Sequence, residues 1–329
     1  VGVLPWLWLA RRSRGKQTQI NVRDAYVEKV CSFVDPIKLQ SQSLVSNAGN
    51  GAAGPTFDAI LSYLSDRGSS LCVERLNHVP DANFPNGIPN PMLPENQPVT
   101  ANQVLQFGAD LGIAWDGDFD RCFFFDEKGE FVAGEFVVGL LAAAVLHRHR
   151  GAKIVHDPRV VLNTRRIIKE WGGYPVAART GHALIKAKMR EANAEYGGEM
   201  SAHHYFKHFM FCDSGMIPWM LVLETMALSG RSLSDMVADM RARYPSSGEI
   251  NFRVAEKDVI IREIESRFAS DACSVDQLDG LSVEFEAWRF NVRLSNTEPL
   301  LRLNVETSGD KTLLAEKVSE LSAIIDTFS

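Results

Sequence analysis

Three aspartates at every second position interrupt two apolar runs in LGIAWDGDFDRCFFFDEKG, residues 111–129. They are Asp116, Asp118 and Asp120. Burying unpaired carboxylates together is costly, so we expect them on a surface loop where their shared charge favours a cation. Carboxylate oxygens suit Mg²⁺, which leaves coordination positions for water and a substrate phosphate. The pattern predicts a magnesium site, and a polar hairpin turn, which Asp-Gly also fits, is the alternative.

A second polar group lies near the C-terminus, in RLSNTEPLLR at residues 293–302. Two arginines with hydroxyls and turn amides predict an anion cradle, because arginine engages phosphate through paired hydrogen bonds. We expect this loop to be solvated. The candidate cradle residues are Arg293, Ser295, Asn296, Thr297 and Arg302.

The segment GEMSAHH, residues 198–204, supplies acceptors and donors matched to sugar hydroxyls. Glu199 and Ser201 carry these groups, with histidine alongside. Arg121, beside the three aspartates, could hold a phosphoryl oxygen. A metal site, a phosphate cradle and a hydroxyl-binding segment together predict phosphoryl transfer on a phosphosugar.

Two other motifs suggest different functions. GNGAAG, residues 49–54, matches G-x-G-x-x-G, and Glu74 lies where a ribose-binding acid would be expected, so a dinucleotide-dependent oxidoreductase is an alternative. Asp116 to Glu127 has the spacing of an EF-hand, but Arg121 stands where the Ca²⁺ loop needs glycine, which excludes that motif.

A zinc site is a further alternative in GEMSAHHYFKH, residues 198–208. The segment contains three histidines, His203, His204 and His208. Tyrosine follows His204, so the H-E-x-x-H signature of zinc hydrolases is absent. We therefore favour histidines in a polar loop over zinc ligands.

The elements that position these residues alternate between strand and helix patterns through the first two thirds of the chain. The last third has several strands in succession and a final helix with an apolar stripe. The fold class predicted is α/β, with two doubly wound α/β domains of parallel strands and a smaller C-terminal α+β domain with an antiparallel sheet. The predicted boundaries are 1–22 for a tail of uncertain origin, 23–129 for the metal-loop domain, 130–243 for the sugar-binding domain and 244–329 for the phosphate-binding domain.

Composition limits the class of protein. With 35 basic and 41 acidic residues, the formal charge is −6, which argues against a nucleic-acid partner. No apolar run is long enough to span a bilayer, so we expect no membrane partner. Five scattered cysteines without C-x-x-C are typical of reduced thiols, and we expect a cytoplasmic location.

Several segments together resemble the α-D-phosphohexomutases. DGDFDRC resembles that family's metal loop, TGHALIK and GEMSAHHYF its sugar-binding segments, and RLSNTEPLLRLNVE its distal phosphate loop. NAGNGAAG and FPNGIPNP also fit, and the double histidine resembles the bacterial phosphomannomutase branch. The resemblance runs from about Arg23 to the C-terminus.

The resemblance implies an enzyme in which a phosphoserine, Mg²⁺ and a hexose 1,6-bisphosphate intermediate interconvert mannose 6-phosphate and mannose 1-phosphate. Three aspartates would bind Mg²⁺, and Arg121 would lie against the phosphoserine. Arg159 would occupy the place of a basic residue in proton transfer, where we favour electrostatic stabilisation because arginine stays protonated. His182 would contact the sugar or its phosphate. The implied substrate-binding residues are Glu199, Met200, Ser201, Ala202, His203 and the cradle from Arg293 to Arg302.

One departure from the family concerns the nucleophile. The family's first domain carries the serine in a T-x-S-H-N-P type loop, and none of the 329 residues lies in such a segment. We expect a phosphomannomutase lacking its first domain, which a separate chain could supply, and expect little turnover by this chain alone. A non-catalytic phosphosugar-binding module is the alternative, and the choice between mannose and glucose stays open.

Overall fold

The computed structural model describes residues 18–254, 257–295 and 300–328, and its strands form three five-stranded sheets. The elements of the first unit are α1 (Arg23–Cys31), β1 (Gln40–Asn47), α2 (Ala53–Ser65), β2 (Ser70–Leu76), α3 (Gln97–Phe107), β3 (Leu111–Trp115), β4 (Cys122–Phe125) and β5 (Phe131–Val132). The strand order is β2-β1-β3-β4-β5. The first three strands are parallel, and β4 and β5 join them as antiparallel hairpins.

The second unit repeats this topology. Its elements are α4 (Gly134–Arg148), β6 (Lys153–His156), α5 (Leu162–Glu170), β7 (Tyr174–Ala177), α6 (His182–Ala192), β8 (Tyr196–Gly198), β9 (His204–Phe206), β10 (Cys212–Asp213), α7 (Pro218–Ser229) and α8 (Leu233–Arg243). The order β10-β9-β8-β6-β7 is the order of the first sheet, with β6, β7 and β8 parallel and the last two strands antiparallel.

The third unit is built differently. It contains β11 (Ile250–Arg253), α9 (Lys257–Phe268), β12 (Ser274–Asp276), β13 (Leu281–Glu284), β14 (Trp288–Leu294), β15 (Leu300–Thr307) and α10 (Lys311–Asp326). All four strand pairings of its sheet, in the order β11-β15-β14-β13-β12, are antiparallel. The apolar side chains of β14 and β15 pack against α9 and α10 in a core of their own.

The first two units share one hydrophobic core. The ring of Phe57 on α2 lies 5.2 Å from that of Trp219 on α7, and Phe33 lies 5.3 Å from Phe206 on β9. Because these contacts join α7 and β9 to the first unit, the loops at the carboxyl ends of both sheets are held in a fixed relation to one another.

The predicted fold class is confirmed, with one refinement. The α/β sheets are mixed rather than wholly parallel, because each ends in two short antiparallel strands. Within the described residues, no helix combines the length and the apolar character that crossing a membrane requires.

Candidate active site

The three aspartates occupy the loop between β3 and β4, at the carboxyl end of the first sheet. Asp118 is exposed and Asp120 is half-buried, as a surface loop predicts. Asp116 is buried, which corrects the expectation that all three lie at the surface. Its cost of burial is offset by Arg121, whose Nε and backbone N–H donate to the carboxylate at 2.7 and 3.2 Å.

Backbone contacts hold this metal loop, which we define as residues 116–121. The Gly117 carbonyl accepts a hydrogen bond from Ala52 N–H at 3.0 Å, and a Cβ added to Gly51 would lie 2.6 Å from the same oxygen. A Cβ on Gly54 would collide with the His78 carbonyl. The glycines of GNGAAG are therefore required for close packing of the backbone against the metal loop.

The metal loop carries three carboxylates and one guanidinium, that of Arg121. Burial raises the pKa of Asp116, Arg121 opposes this, and the charge of Asp120 adds to it. His203, 3.7 Å from Asp120, lowers the pKa of that carboxyl. Oxygen atoms of the three aspartates lie within 4.8 Å of one another. This all-oxygen, partly exposed donor set fits Mg²⁺.

The EF-hand alternative fails on geometry as well as on sequence. Strands rather than helices flank the metal loop, and Glu127 turns away from it to accept hydrogen bonds from the backbone and hydroxyl of Ser234. Glu127, at the twelfth position of the EF-hand pattern, therefore binds the first turn of α8 and not the metal loop.

The predicted sugar-binding segment is a tight turn between β8 and β9. Ala202 N–H donates to the Glu199 carbonyl at 3.0 Å, and Ala202 itself adopts a left-handed φ of 70°. Met200 N–H donates to Asp157 at 2.8 Å, and Gly134 packs so closely on the Met200 carbonyl that a Cβ there would collide. Met200 and Ala202 thus shape the turn through their backbones.

Glu199 is buried and already holds two hydrogen-bond donors. Its carboxylate accepts from Gly181 N–H at 2.9 Å and from the Tyr205 hydroxyl at 2.5 Å. The first bond ties the turn to the loop before α6, where His182 is exposed as the first helical residue. The structure therefore places His182 beside the sugar-binding segment.

His203 connects this turn to the metal loop. Its backbone forms an antiparallel bridge with Arg121, and its ring lies between Asp120, at 3.7 Å, and Glu199, at 3.8 Å. Ser201 Oγ lies 3.3 Å from Nδ1 of the same ring.

The other two histidines of the segment point elsewhere. His204 is buried against the Tyr196 hydroxyl at 2.8 Å, and burial lowers its pKa to about 3, so it is a neutral core residue. His208 lies near Glu195 at the opposite end of the strand. The three histidines do not converge, so the zinc alternative built on them is excluded.

Arg159 follows β6 at the carboxyl end of the second sheet and is buried. Its guanidinium donates to Asp157 at 2.7 Å and lies 3.7 Å from Glu249. Burial alone would lower the pKa of Arg159, but the charges of Asp157, Glu199 and Glu249 outweigh burial and raise it. The side chain is a permanent cation and cannot exchange protons at neutral pH.

The described phosphate-cradle residues lie on β14 (Arg293), directly after it (Ser295) and on β15 (Arg302). Arg293 and Arg302 pair across the two strands, and both guanidiniums contact Glu249, at 3.0 and 3.2 Å. Arg293 is buried rather than solvated, because its face of the sheet is turned towards the second unit; burial and the charge of Arg159 lower its pKa. Ser295 N–H donates to the Leu300 carbonyl. The predicted residues Asn296 and Thr297 lie outside the described residues.

Sequence reasoning missed the pair that joins the third sheet to the Arg159 loop. Arg289 donates to the carbonyls of Pro158 and Arg159 and to Glu306, at 2.7–2.9 Å. Glu306 in turn accepts from the backbone N–H groups of Val161, which precedes α5, and of Leu162, its first residue. The sequence does show that Arg289 lies on a polar strand face, because polar residues alternate with apolar ones in WRFNVRL. This alternation does not show that the polar face is buried.

Glu249 and Asp157 were also missed. Asp157 carried a usable signal, since it directly follows a strand and precedes Arg159 by two residues. Glu249 carried none, because a single acid before a strand is an ordinary surface feature and its partners are 44 or more residues away.

Three consecutive segments match descriptions of one protein family. Residues 24–129, 133–244 and 249–323 match, in that order, phosphoglucomutase/phosphomannomutase alpha/beta/alpha domain II, alpha/beta/alpha domain III and the C-terminal domain. A phosphomannomutase of Salmonella montevideo is 51% identical over 314 residues, covering 95% of this chain and 69% of that protein.

Solved structures agree with the sequence matches. A phosphoglucomutase/phosphomannomutase family protein from Burkholderia thailandensis has a TM-score of 0.81 at 30% identity, over 94% of this chain and 65% of that one. An Aspergillus fumigatus N-acetylphosphoglucosamine mutase, solved with GlcNAc-6P and magnesium, shares the fold, with a TM-score of 0.64 at 17% identity over 93% of this chain and 66% of that one.

The three family matches, the identity to the Salmonella protein and the structural similarity all point to one family. The chain belongs to the phosphoglucomutase/phosphomannomutase family, in its bacterial phosphomannomutase branch, and is of the phosphohexomutase type of enzyme.

Proposed function

We propose that these residues form the metal site, the sugar-binding site and the distal phosphate site of a phosphomannomutase that interconverts mannose 6-phosphate and mannose 1-phosphate. One observation carries the proposal. Charged side chains form a line from the metal loop to the cradle. His203 lies 3.7–3.8 Å from Asp120 and Glu199, Glu249 lies 3.0–3.7 Å from Arg159, Arg293 and Arg302, and the charge of Glu199 acts on Arg159 between these two groups. The members of this line, in order, are Asp120, His203, Glu199, Arg159, Glu249, Arg293 and Arg302.

At the metal end, Asp116, Asp118 and Asp120 would hold Mg²⁺. When bound, Mg²⁺ neutralises charge on a phosphoryl group during transfer. Arg121 already orients Asp116, and its remaining guanidinium N–H groups would bind the phosphoryl donor, which in this family type is a phosphoserine.

In the middle of the line, Arg159 would stabilise negative charge on the bridging oxygen without moving a proton. Its Nε is buried and has no hydrogen-bond partner among the described residues. Because an unsatisfied buried donor is costly, a phosphoryl oxygen that approached it would gain a strong hydrogen bond.

The sugar and the non-reacting phosphate would lie between these two ends. Glu199, Ser201 and His203 would contact sugar hydroxyls, with His182 at the edge of the site. Arg293 and Arg302 would bind the phosphate, with Ser295, Asn296 and Thr297 completing the cradle. A hexose 1,6-bisphosphate is the ligand that would engage both ends at once, as the reaction intermediate or activator.

The alternatives share part of this geometry. A non-catalytic phosphosugar-binding module would use the same sugar and phosphate residues, and binding alone does not separate it from an enzyme. The dinucleotide alternative is not favoured, because Gly51 and Gly54 pack against backbone carbonyls where a pyrophosphate would have to approach. The cytoplasmic location stays a prediction.

The test is binding of mannose 6-phosphate to the 329-residue chain, measured by calorimetry. Arg293→Ala should weaken it about ten- to hundredfold, since a charge-assisted hydrogen bond contributes about 1.5–3 kcal/mol. Because Arg293 is buried, Arg302→Ala is the second variant, and its side chain is 20% exposed. Arg267→Ala, which removes an exposed arginine on α9, is the matched control. Unchanged affinity in both cradle variants would contradict the proposal.

A further inference from the structure

Two histidines and a glutamate meet at the end of the second sheet that is opposite to the candidate active site. They are His149, Glu195 and His208, and we refer to them as the His–Glu–His cluster. Their ligand atoms lie within 4.8 Å of one another. Glu195 precedes β8, whereas Glu199 follows it, so the length of the strand separates this cluster from the sugar-binding turn.

The backbone fixes each member of the cluster. Glu195 N–H donates to the Lys153 carbonyl, and the Glu195 carbonyl accepts from Lys207 N–H, both at 3.0 Å. His149 N–H closes the last turn of α4 on Val145 at 2.9 Å. His208 lies in a single 3₁₀ turn after β9. The side chains therefore start from defined positions and need only rotamer changes to meet.

The side-chain geometry suits a tetrahedral ion. His208 Nε2 lies 3.3 Å from Glu195 Oε2. Ligands about 2.1 Å from a tetrahedral Zn²⁺ are about 3.4 Å from one another. The other glutamate oxygen, Oε1, is held by Lys207 Nζ at 2.6 Å, and this bond orients the carboxylate.

The second glutamate oxygen is the second observation. Glu195 Oε2 is buried and makes no hydrogen bond among the described residues, although His208 Nε2 lies 3.3 Å away. A buried acceptor without a donor is destabilising, and an ion bound between the two imidazoles and this oxygen would satisfy it. The imidazoles of His149 and His208 are stacked, with centroids 5.5 Å apart, and a ligand atom of each lies within 4.8 Å of the Glu195 carboxylate.

We infer that the His–Glu–His cluster binds Zn²⁺. Imidazole nitrogens select zinc and neighbouring transition metals, whereas the all-oxygen metal loop suits Mg²⁺, so the two sites differ in donor type. Three protein ligands leave one position for water. A cavity of about 480 Å³ at the cluster, which also borders α1 of the first unit, gives water and the ion access.

Zinc could also bind two clusters at the candidate active site, and the experiment must separate them. These clusters are the three aspartates of the metal loop and the group Asp120, His203 and Asp213. Asp120 belongs to both, so Asp120→Asn weakens both at once. Zinc binding is therefore measured in Asp120→Asn by competition with a chromogenic indicator, with excess Mg²⁺ present.

One equivalent of Zn²⁺ should bind Asp120→Asn, and adding His208→Ala or His149→Ala should weaken that binding at least about tenfold, as expected for loss of one of three ligands. His147→Ala is the matched control, because His147 lies in the last turn of α4, two residues before His149, but packs on Trp171. His208 is exposed and His149 is partly exposed, so the variants should fold.

Two further readouts do not depend on the indicator. Co²⁺ in place of Zn²⁺ should give the intense visible absorption of tetrahedral coordination, and Zn²⁺ should raise the unfolding temperature of Asp120→Asn but not of its His208→Ala derivative. If Asp120→Asn, without a further substitution, did not bind Zn²⁺, the inference would be overturned. The same holds if Asp120→Asn and its His208→Ala derivative bound Zn²⁺ with equal affinity.

Discussion

Glu135 is a buried carboxyl in the first turn of α4, close to the candidate active site. Burial raises its pKa to about 6, and the nearby charges of Glu306 and Asp157 contribute. A carboxyl whose pKa is raised on folding holds its proton more tightly in the folded state. Its contribution to stability is therefore full below its ordinary pKa of 4.5 and is lost as pH rises through 6.

Glu135→Gln should consequently be more stable than the parent chain at pH 7.5, by roughly 2 kcal/mol, and differ from it by less than about 0.5 kcal/mol at pH 4.5. The glutamine mimics the protonated acid and removes the cost of burying a charge. Urea unfolding at the two pH values measures the difference. Glu130→Gln, at an exposed position, is the control. A stability gain that is the same at both pH values would show that the charge of Glu135 is not its cause.

Glu199 shows how far single residues could be predicted. The sequence predicted it as an acceptor for sugar hydroxyls, and the structure places it 3.8 Å from His203 in the line of charges. That its carboxylate is already bound by Gly181 and Tyr205 could not be predicted, because those partners come from another loop and from the next strand. The same holds for Glu249, whose role depends wholly on partners distant in the sequence.

At the scale of elements, the glycine-rich turn after β1 supports the metal loop. Gly51→Ala should push its Cβ into the Gly117 carbonyl and displace the aspartates. Overpacking of this kind costs about 1–3 kcal/mol, so Mg²⁺ affinity should fall about fivefold or more. Calorimetric titration with MgCl₂ gives the measurement.

Gly117→Ala is the matched control for that experiment. A Cβ at Gly117 would have its closest contact at 3.6 Å, to the Phe84 ring, which is an ordinary van der Waals distance. If Gly117→Ala weakened Mg²⁺ binding as much as Gly51→Ala, the effect would come from any methyl group near the loop rather than from the backbone contact.

The sequence predicted the elements better than their pairing. Strand and helix alternation predicted the two α/β units, since apolar periodicity reports local structure directly. The short antiparallel strands β5 and β10 were not predicted, because two residues carry no periodic signal. From the sequence pattern alone, the polar face of β14 and β15 is predicted to be exposed to solvent. Arg289, Asn291 and Arg293 on that face are buried, because it packs against the second unit.

For the molecule as a whole, we expect the 329-residue polypeptide to bind mannose 6-phosphate but not to convert it. Phosphoryl transfer needs an activated acceptor, and no serine of these residues lies in a T-x-S-H-N-P segment. A coupled assay for mannose 1-phosphate, with Mg²⁺ and mannose 1,6-bisphosphate, should give a rate indistinguishable from that of Asp118→Asn.

Calorimetry on the same samples supplies the control, because binding must be demonstrated for absent turnover to be meaningful. Turnover well above that of Asp118→Asn would mean that one of these 329 residues accepts the phosphoryl group.

The identical strand order of the first two sheets has an evolutionary consequence. The metal loop joins β3 to β4, and the sugar-binding turn joins β8 to β9, so the two loops occupy equivalent places in two copies of one topology. Arg121 and His203 directly precede the equivalent strands β4 and β9, and their backbones pair with each other. Duplication of one gene segment would leave this arrangement. In the proposed function the first copy would hold the cation and the second would bind the sugar, so neither copy alone would contain a complete site.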